Sequence, residues 1–240
     1  MDSAASTHAR KVTGLFSHIA GMYDGYNRFF SLGFDALWRR QLVRLLAPAV
    51  ENKEAVILDL AAGTLEVTKN IVASYPHARI IAADFCASMV QKGLPKIQEQ
   101  RDKTVIPLVG NALALPLNDA SVDAITVAFG VRNFKPRAVA LAECFRVLKP
   151  GGRLCVLEFG SAQDKILFGL YNWYLCHIMP FFGRLLSSDK AAYQYLADTI
   201  VAFPSAEALA QECRDTGFAS VEHRKYTAGI VRIHICDKRV

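Results

Sequence analysis

The chain has 240 residues, 52% of them hydrophobic and 21% charged, and its mean hydropathy is +0.19. This length suits one sizeable domain, and the surplus of apolar residues must be buried or must face a ligand or a membrane. The net charge is +6 without any run of five like charges, which disfavours nucleic-acid binding and suits solubility or a mild attraction to anionic lipid.

The amino terminus, residues 1–10, lacks the apolar centre of a signal peptide, and the protein is therefore interpreted as cytoplasmic. None of its cysteines forms a C-x-x-C pair or stands at metal-ligand spacing from a histidine. We expect free, mostly buried thiols in a reducing compartment, and no metal. The cysteines are Cys86, Cys144, Cys155, Cys176, Cys213 and Cys236.

Residues 1–50 are interpreted as an N-terminal helical cap. Two amphipathic stretches, residues 12–21 and 26–46, have apolar residues at near-helical spacing. Gly33 is expected to divide the second stretch into two helices.

Residues 51–160 alternate between apolar runs and helical segments. The runs are continuously apolar, as is typical of strands in a parallel sheet that is buried on both faces. Strands are predicted over residues 55–60, 79–83, 105–109, 124–128 and 153–159, and helices over 64–74, 87–100 and 136–148. This alternation predicts a right-handed, doubly wound parallel sheet.

Residues 161–203 interrupt that alternation with an apolar, aromatic segment. Residues 166–186 are long enough to span a bilayer. Asn172, His177, Pro180 and Arg184 break the run, so we interpret the segment as an inserted aromatic lid or an interfacial helix pair.

Residues 204–240 are expected to complete the core. A helix is predicted over residues 205–216, and strands 220–227 and 229–236 are expected to pair as an antiparallel hairpin. The predicted fold class is α/β: a Rossmann-like, seven-stranded, mostly parallel sheet with an antiparallel C-terminal hairpin, N-terminal helices and the inserted lid.

A nucleotide site is indicated where the first strand meets its helix. Asp59 is followed by small residues and Gly63, which let the backbone approach a ligand, and Asp84 ends the second strand, where a carboxylate can accept both hydroxyls of a ribose. Alternatively, Gly63 only turns the chain and Asp84 only caps the helix near Ala87. No G-x-G-x-x-G or G-K-[ST] motif is present, which disfavours NAD binding and nucleoside triphosphate hydrolysis.

Several segments resemble known families. The runs ILDLAAGT, AADFCASMV and GNALALPLNDASVD are similar to the class I methyltransferases that use S-adenosylmethionine (SAM). Segments that resemble the ubiquinone/menaquinone C-methyltransferases (UbiE/MenG) are YDGYNRFFSLGFDALW (23–38), FGVRNF (129–134), RVLKPGGRLCVLEFGS (146–161), AYQYLADTI (192–200) and TAGIVRIH (227–234). The resemblance extends from about residue 12 to the end of the chain and implies SAM-dependent methylation of a ring carbon in a prenylated quinol, either demethylmenaquinol or a polyprenyl benzoquinol.

The resemblance also implies a set of cofactor contacts. Asp59, Gly63 and Thr64 would border the methionine part of SAM, and Asp84 would hold its ribose. The remaining contacts would come from Phe85, Met89, Asn111, Ala112 and Phe129. Met89 is read equally well as a core residue.

Arg132 and Asn133 are the catalytic candidates, because the resembling family has an arginine–asparagine pair in its active site. Arg132 is too basic to act as an ordinary general base, and it is otherwise a surface arginine. Substrate contacts are expected from Tyr23, Asn27, His177, Tyr193 and Tyr195, with lid packing as the alternative role of His177. The expected partners are the prenylated quinol and, transiently, the inner membrane surface, while a homodimer is left open.

The chain departs from the family pattern at Leu65, which stands where the loop has its second glycine. A leucine adds bulk beside the cofactor and is strained if the position requires positive φ. The alternative function is therefore a non-catalytic or substrate-drifted relative with weakened SAM binding, which acts on another phenolic metabolite or as a scaffold in quinone biosynthesis.

Overall fold

A computed structural model describes residues 14, 23–50, 54–97, 104–160, 195 and 198–240. One sheet organises these residues, with strands in the order β3-β2-β1-β4-β5-β7-β6. Its strands are β1 (Val56–Leu60), β2 (Arg79–Asp84), β3 (Val105–Val109), β4 (Val122–Ala128), β5 (Leu148–Phe159), β6 (Ser220–Tyr226) and β7 (Val231–Asp237).

The described helices connect these strands or precede them. They are α1 (Tyr23–Phe30), α2 (Phe34–Arg44), α3 (Glu66–Ser74), α4 (Ala87–Gly93), α5 (Arg137–Val147) and α6 (Ala206–Thr216). Gly33 has φ 80° between α1 and α2, so the predicted division of this stretch is confirmed. Short 3₁₀ turns cover Ala47–Ala49, Leu94–Ile97, Val131–Asn133 and Thr227–Gly229.

The pairing of the strands confirms the predicted fold class. β1 pairs in parallel with β2 on one side and with β4 on the other, so the order of the strands reverses at β1. β7 pairs antiparallel with both β5 and β6, which confirms the C-terminal hairpin and leaves β6 at the edge. Ligands of open α/β sheets bind outside the carboxyl ends of the strands at such a reversal, and the predicted site residues belong there.

Apolar side chains cover both faces of the sheet. Trp38 and Leu42 of α2 and Ile71 of α3 belong to one core cluster, whereas Leu141 of α5 and Leu209 of α6 belong to the other. Five of the predicted free cysteines are buried and unbridged, and Cys176 lies outside the described residues. Burial raises the pKa of Cys144 and of Cys155 to about 12, so these thiols pack as small apolar side chains.

Other predictions fall partly or wholly outside the described residues. These are the helix over residues 12–21 and nearly all of the lid over 161–203. In the part of the chain that the structure describes, no helix has the length and apolar character needed to cross a bilayer.

Candidate active site

Asp59 lies next to the carboxyl end of β1 and is 1% exposed. Thr68 Oγ1 donates to its Oδ2 at 2.6 Å, and Thr126 Oγ1 donates to its Oδ1 at 2.9 Å. Burial raises the pKa of Asp59 to about 6, although the hydrogen bonds from the two threonines oppose the rise. Among the described residues, its hydrogen-bonding side chains are these two threonines, and no cation forms an ion pair with it.

Asp84 stands at the end of β2 and holds the loop that follows β1. The Gly63 backbone N–H donates to its Oδ2 at 2.8 Å, and the Cys86 N–H donates to its Oδ1 at 2.8 Å. Burial raises the pKa of Asp84, and these backbone donors oppose the rise. A carboxylate offers about four acceptor positions, so this structural role leaves room for a ribose hydroxyl.

The loop after β1 contains three residues with positive φ: Ala61 (57°), Gly63 (53°) and Leu65 (64°). The condition stated for strain at Leu65, a positive φ, is therefore met, at a cost of about 1–2 kcal/mol for a residue with a side chain. The Leu65 side chain is fully buried in the core cluster below α2. A Cβ at Gly93 would lie only 2.5 Å from Leu65 Cγ, so this glycine makes the room that the leucine occupies in the core.

The candidate adenine residues follow β2 and β3. Phe85 is 44% exposed, whereas Met89 is buried and its Cε lies 3.6 Å from the position of a Cβ at Gly63. Met89 thus supports the loop from below, and both of its predicted roles are compatible with that position. Asn111 accepts from the Leu113 N–H at 3.0 Å through its Oδ1, and the buried Ala112 lies next to it.

Sequence reasoning missed a lysine that connects the N-terminal cap to the loop after β1 by hydrogen bonds. Lys96 Nζ donates to Asp24 of α1, to Glu66 Oε1 at 2.7 Å and to the Thr64 carbonyl at 2.9 Å. The Thr64 hydroxyl donates to Asp24 as well. Lys96 and Asp24 are 72 residues apart, and no local motif signals such a pair.

Arg132 occupies the short 3₁₀ turn after β4 and is buried against Glu158 of β5. Its Nη1 donates to Glu158 Oε2 at 2.9 Å, and its backbone N–H donates to Oε1 at 3.2 Å. The side chains are 4% and 1% exposed, respectively. Sequence reasoning missed Glu158, although an acidic residue inside the apolar run LCVLEF was an available signal.

Aromatic rings enclose the Arg132 guanidinium. Its Cζ lies 5.9 Å from the ring centre of Phe129 and 5.7 Å from that of Phe159, within the range of cation–π attraction. The two rings are 4.8 Å apart, and Trp38 meets Phe129 edge-on at 6.3 Å. These rings keep water away from one side of the guanidinium.

Glycine at position 130 brings the two halves of the site together. A Cβ there would lie 2.5 Å from the Ala61 Cβ and 3.1 Å from Val127 Cγ1. Only glycine allows the loop after β4 to approach the loop after β1 so closely. The Arg132 turn is therefore held directly beside the loop that contains Gly63.

Asn133 and Tyr195 are also brought together: the Tyr195 hydroxyl donates to Asn133 Oδ1 at 3.0 Å. Burial raises the pKa of Tyr195, and the charge of Arg132 opposes the rise, so the phenol lies near that guanidinium. Asn27 lies half-buried on α1, and among the described residues its side chain has no hydrogen bond to this group. The Tyr23 side chain, His177 and Tyr193 lie outside the described residues.

Comparisons with known proteins place the chain among methyltransferases. The model of the ubiE/COQ5 methyltransferase family matches residues 4–238. A ubiquinone/menaquinone biosynthesis C-methyltransferase UbiE of Syntrophotalea carbinolica is 42% identical over 92% of this chain and 91% of its own length. A demethylmenaquinone methyltransferase of Thermus thermophilus is 43% identical over 93% of this chain and 100% of its own.

The fold is shared with solved methyltransferases at much lower identity. A SAM-dependent methyltransferase from Thermotoga maritima superposes with a TM-score of 0.63 at 19% identity, covering 94% of this chain and 100% of that chain. At this level of identity the likeness concerns the fold alone.

Proposed function

The chain belongs to the ubiE/COQ5 methyltransferase family, and on that premise we propose that it transfers the methyl group of SAM to a ring carbon of a prenylated quinol. Demethylmenaquinol is the first acceptor to test, because a relative 43% identical is named a demethylmenaquinone methyltransferase. A non-catalytic relative is not favoured, since the relatives matched over more than nine-tenths of this chain are named as methyltransferases.

The observation that carries the proposal is the position of Arg132. Its charge is permanent, it is held beside the loop after β1, and Glu158 binds one of its nitrogens at 2.9 Å. Within the described residues, Nη1 is the guanidinium nitrogen with a hydrogen-bonding partner. A guanidinium has five N–H donors, and we assign those that Glu158 does not bind to an oxyanion of the acceptor.

The cofactor half of the site suits SAM. Asp59 is a carboxyl group whose pKa is raised by burial, and the ammonium of a methionine moiety would be a favourable partner for its carboxylate form. Asp84 has acceptor capacity for the ribose. We assign Gly63, Thr64, Phe85, Met89, Asn111, Ala112 and Phe129 to the remaining cofactor contacts, as the resemblance implies.

The chemistry required of the protein is alignment and charge stabilisation. SAM supplies a methyl group that is already activated by its positive sulfur. A quinol carbon becomes nucleophilic when a neighbouring hydroxyl loses its proton, and the Arg132 guanidinium stabilises the resulting anion in a site that aromatic rings shield from water. Asn133 and Tyr195, joined at 3.0 Å, would orient the acceptor beside it.

The substrate also implies where the protein works. A prenylated quinol resides in a bilayer, so the protein would meet the membrane surface transiently, and the net charge of +6 favours anionic lipid. Tyr23, Asn27, His177 and Tyr193 stay predictions as substrate contacts.

The test is methyl transfer from isotopically labelled SAM to a panel of quinols, with products identified by mass spectrometry. We expect transfer to demethylmenaquinol, a loss of about 100-fold or more in kcat for Arg132→Gln, and a smaller loss for Arg132→Lys, which keeps the charge. Absence of transfer to every prenylated quinol, with SAM binding intact in calorimetry, would overturn the proposed acceptor.

A further inference from the structure

The start of α2 exposes a cluster of large apolar side chains. Leu32 is 78% exposed, Phe34 44% and Leu37 46%. We call these three residues the α2 patch. Apolar side chains grouped in this way on a surface indicate a contact surface, because their exposure to water is unfavourable.

The charges around the α2 patch are positive. Arg40 and Arg44 follow Leu37 by three and seven residues, which places all three on one face of α2, and both arginines are exposed. The acidic residues of the segment 23–50 are Asp24 and Asp35, and they form ion pairs with Lys96 and Arg39, respectively. An apolar cluster bordered by exposed arginines that form no ion pair with another described residue is complementary to an anionic lipid surface.

Aromatic contacts link the α2 patch to Arg132. Phe34 stacks on Trp38 with ring centres 6.3 Å apart and an angle of 18°. Trp38 meets Phe129 at 6.3 Å, and the Arg132 guanidinium lies 5.9 Å from the Phe129 ring. The exposed patch and the guanidinium are thus joined by three successive contacts.

We propose that the α2 patch is the surface with which the protein docks on an anionic bilayer, with Leu32 and Leu37 inserted among the lipids and Arg40 and Arg44 at the headgroups. Docking in this orientation brings the Arg132 end of the site next to the membrane. The inference rests on the proposed function for the identity of the substrate, but the docking itself is measured without substrate.

The first experiment is co-sedimentation of the full chain with vesicles of phosphatidylcholine, alone or mixed with phosphatidylglycerol. We expect the double variant Leu32→Ser/Leu37→Ser to bind mixed vesicles at least about tenfold more weakly. The double variant Arg40→Gln/Arg44→Gln should bind mixed vesicles about tenfold more weakly, and its binding to phosphatidylcholine vesicles should change little. Val139→Ser is the matched control, because Val139 is 43% exposed on α5, which packs on the opposite face of the sheet.

Kinetics and oligomeric state complete the test. Both double variants should methylate a short-chain, water-soluble quinol like the unmodified protein, and lose rate on a long-chain quinol in vesicles. Unchanged vesicle binding in both variants would overturn the proposal, and so would light scattering that shows the patch variants dissociating a dimer instead. A protein that binds vesicles through the patch but methylates no quinol would overturn the proposed function alone.

Discussion

Two buried carboxyl groups lie near the C-terminal ends of the strands, and they have different hydrogen-bonding partners. Asp59 of β1 and Glu158 of β5 are each 1% exposed. Asp59 has two threonine hydroxyls as partners, and its pKa rises to about 6. Glu158 has the guanidinium and the backbone N–H of Arg132.

The two carboxyl groups therefore differ in their electrostatic environment. A buried carboxyl group without a cation is an unfavourable arrangement that a cationic ligand relieves, whereas a buried ion pair is complete before any ligand arrives. On the proposed function, SAM binding would change the electrostatics around Asp59, whereas Glu158 already holds the Arg132 guanidinium in place.

The largest expected effect concerns the ion pair. Glu158→Gln removes the charge that compensates Arg132 in a buried place, so the free energy of unfolding should fall by about 3–5 kcal/mol. Urea unfolding measures this change. Glu222→Gln is the control, because Glu222 pairs with Arg224 on the surface, where both side chains are 55% exposed and a loss below about 1 kcal/mol is expected. Equal effects in the two variants would contradict the contrast between the buried and the exposed pair.

The next effect concerns pH and Asp59. Its pKa rises from 3.8 unfolded to about 6 folded, so the folded state binds the proton more tightly, and stability is lost as the pH rises through this window. Relative to Asp59→Asn, which does not titrate, the unmodified protein should lose about 3 kcal/mol between about pH 3 and pH 7.

Unfolding measured at four pH values checks this, with Asp119→Asn as control because that side chain is 78% exposed. If the difference in the free energy of unfolding between the unmodified protein and Asp59→Asn does not change with pH, a cation already neutralises Asp59. Saturating SAM should reduce the pH dependence, since its ammonium lowers the pKa of a nearby carboxyl group.

The smallest effect concerns Leu65. Leu65→Gly removes a fully buried side chain but relieves the strain at φ 64°, so the net loss of stability should be about 2 kcal/mol. Leu65→Ala keeps the strain and should be less stable than Leu65→Gly by about 1 kcal/mol. Calorimetric SAM affinity should change little in Leu65→Gly, and a marked gain would show that the leucine obstructs the cofactor.

Much of the fold followed from local patterns in the sequence. Continuous apolar runs identified β1 to β5, Gly33 marked the break between α1 and α2, and the C-terminal strands were recognised as a hairpin. Each of these features depends on residues within one element or one turn, so a short stretch of sequence contains the physical information. The fifth strand was shorter in the prediction than β5, which begins at Leu148 and pairs there with Val122.

The site was predicted less completely than the fold. Asp59 and Asp84 were proposed because they stand near the ends of two predicted strands, at the edge where parallel strands converge, and Arg132 was proposed from the family resemblance; their roles stay predictions. Glu158 was missed because its partner is 26 residues away, and Lys96 was missed because Asp24 is 72 residues away. A charge inside an apolar strand or at the end of a helix does not indicate which distant group neutralises it.

By itself, the sequence determined which segments form strands and helices, where the chain turns, and which family the protein resembles, because these depend on periodicity, turn chemistry and contiguous motifs. Only the tertiary structure decided that, among the described residues, Asp59 has threonine hydroxyls as partners while Glu158 has an arginine, and that Gly93 makes room for Leu65. Packing brings residues distant in the chain within a few ångströms of each other. At that range Coulomb and desolvation energies become large enough to set the pKa and the ionic partner of each group.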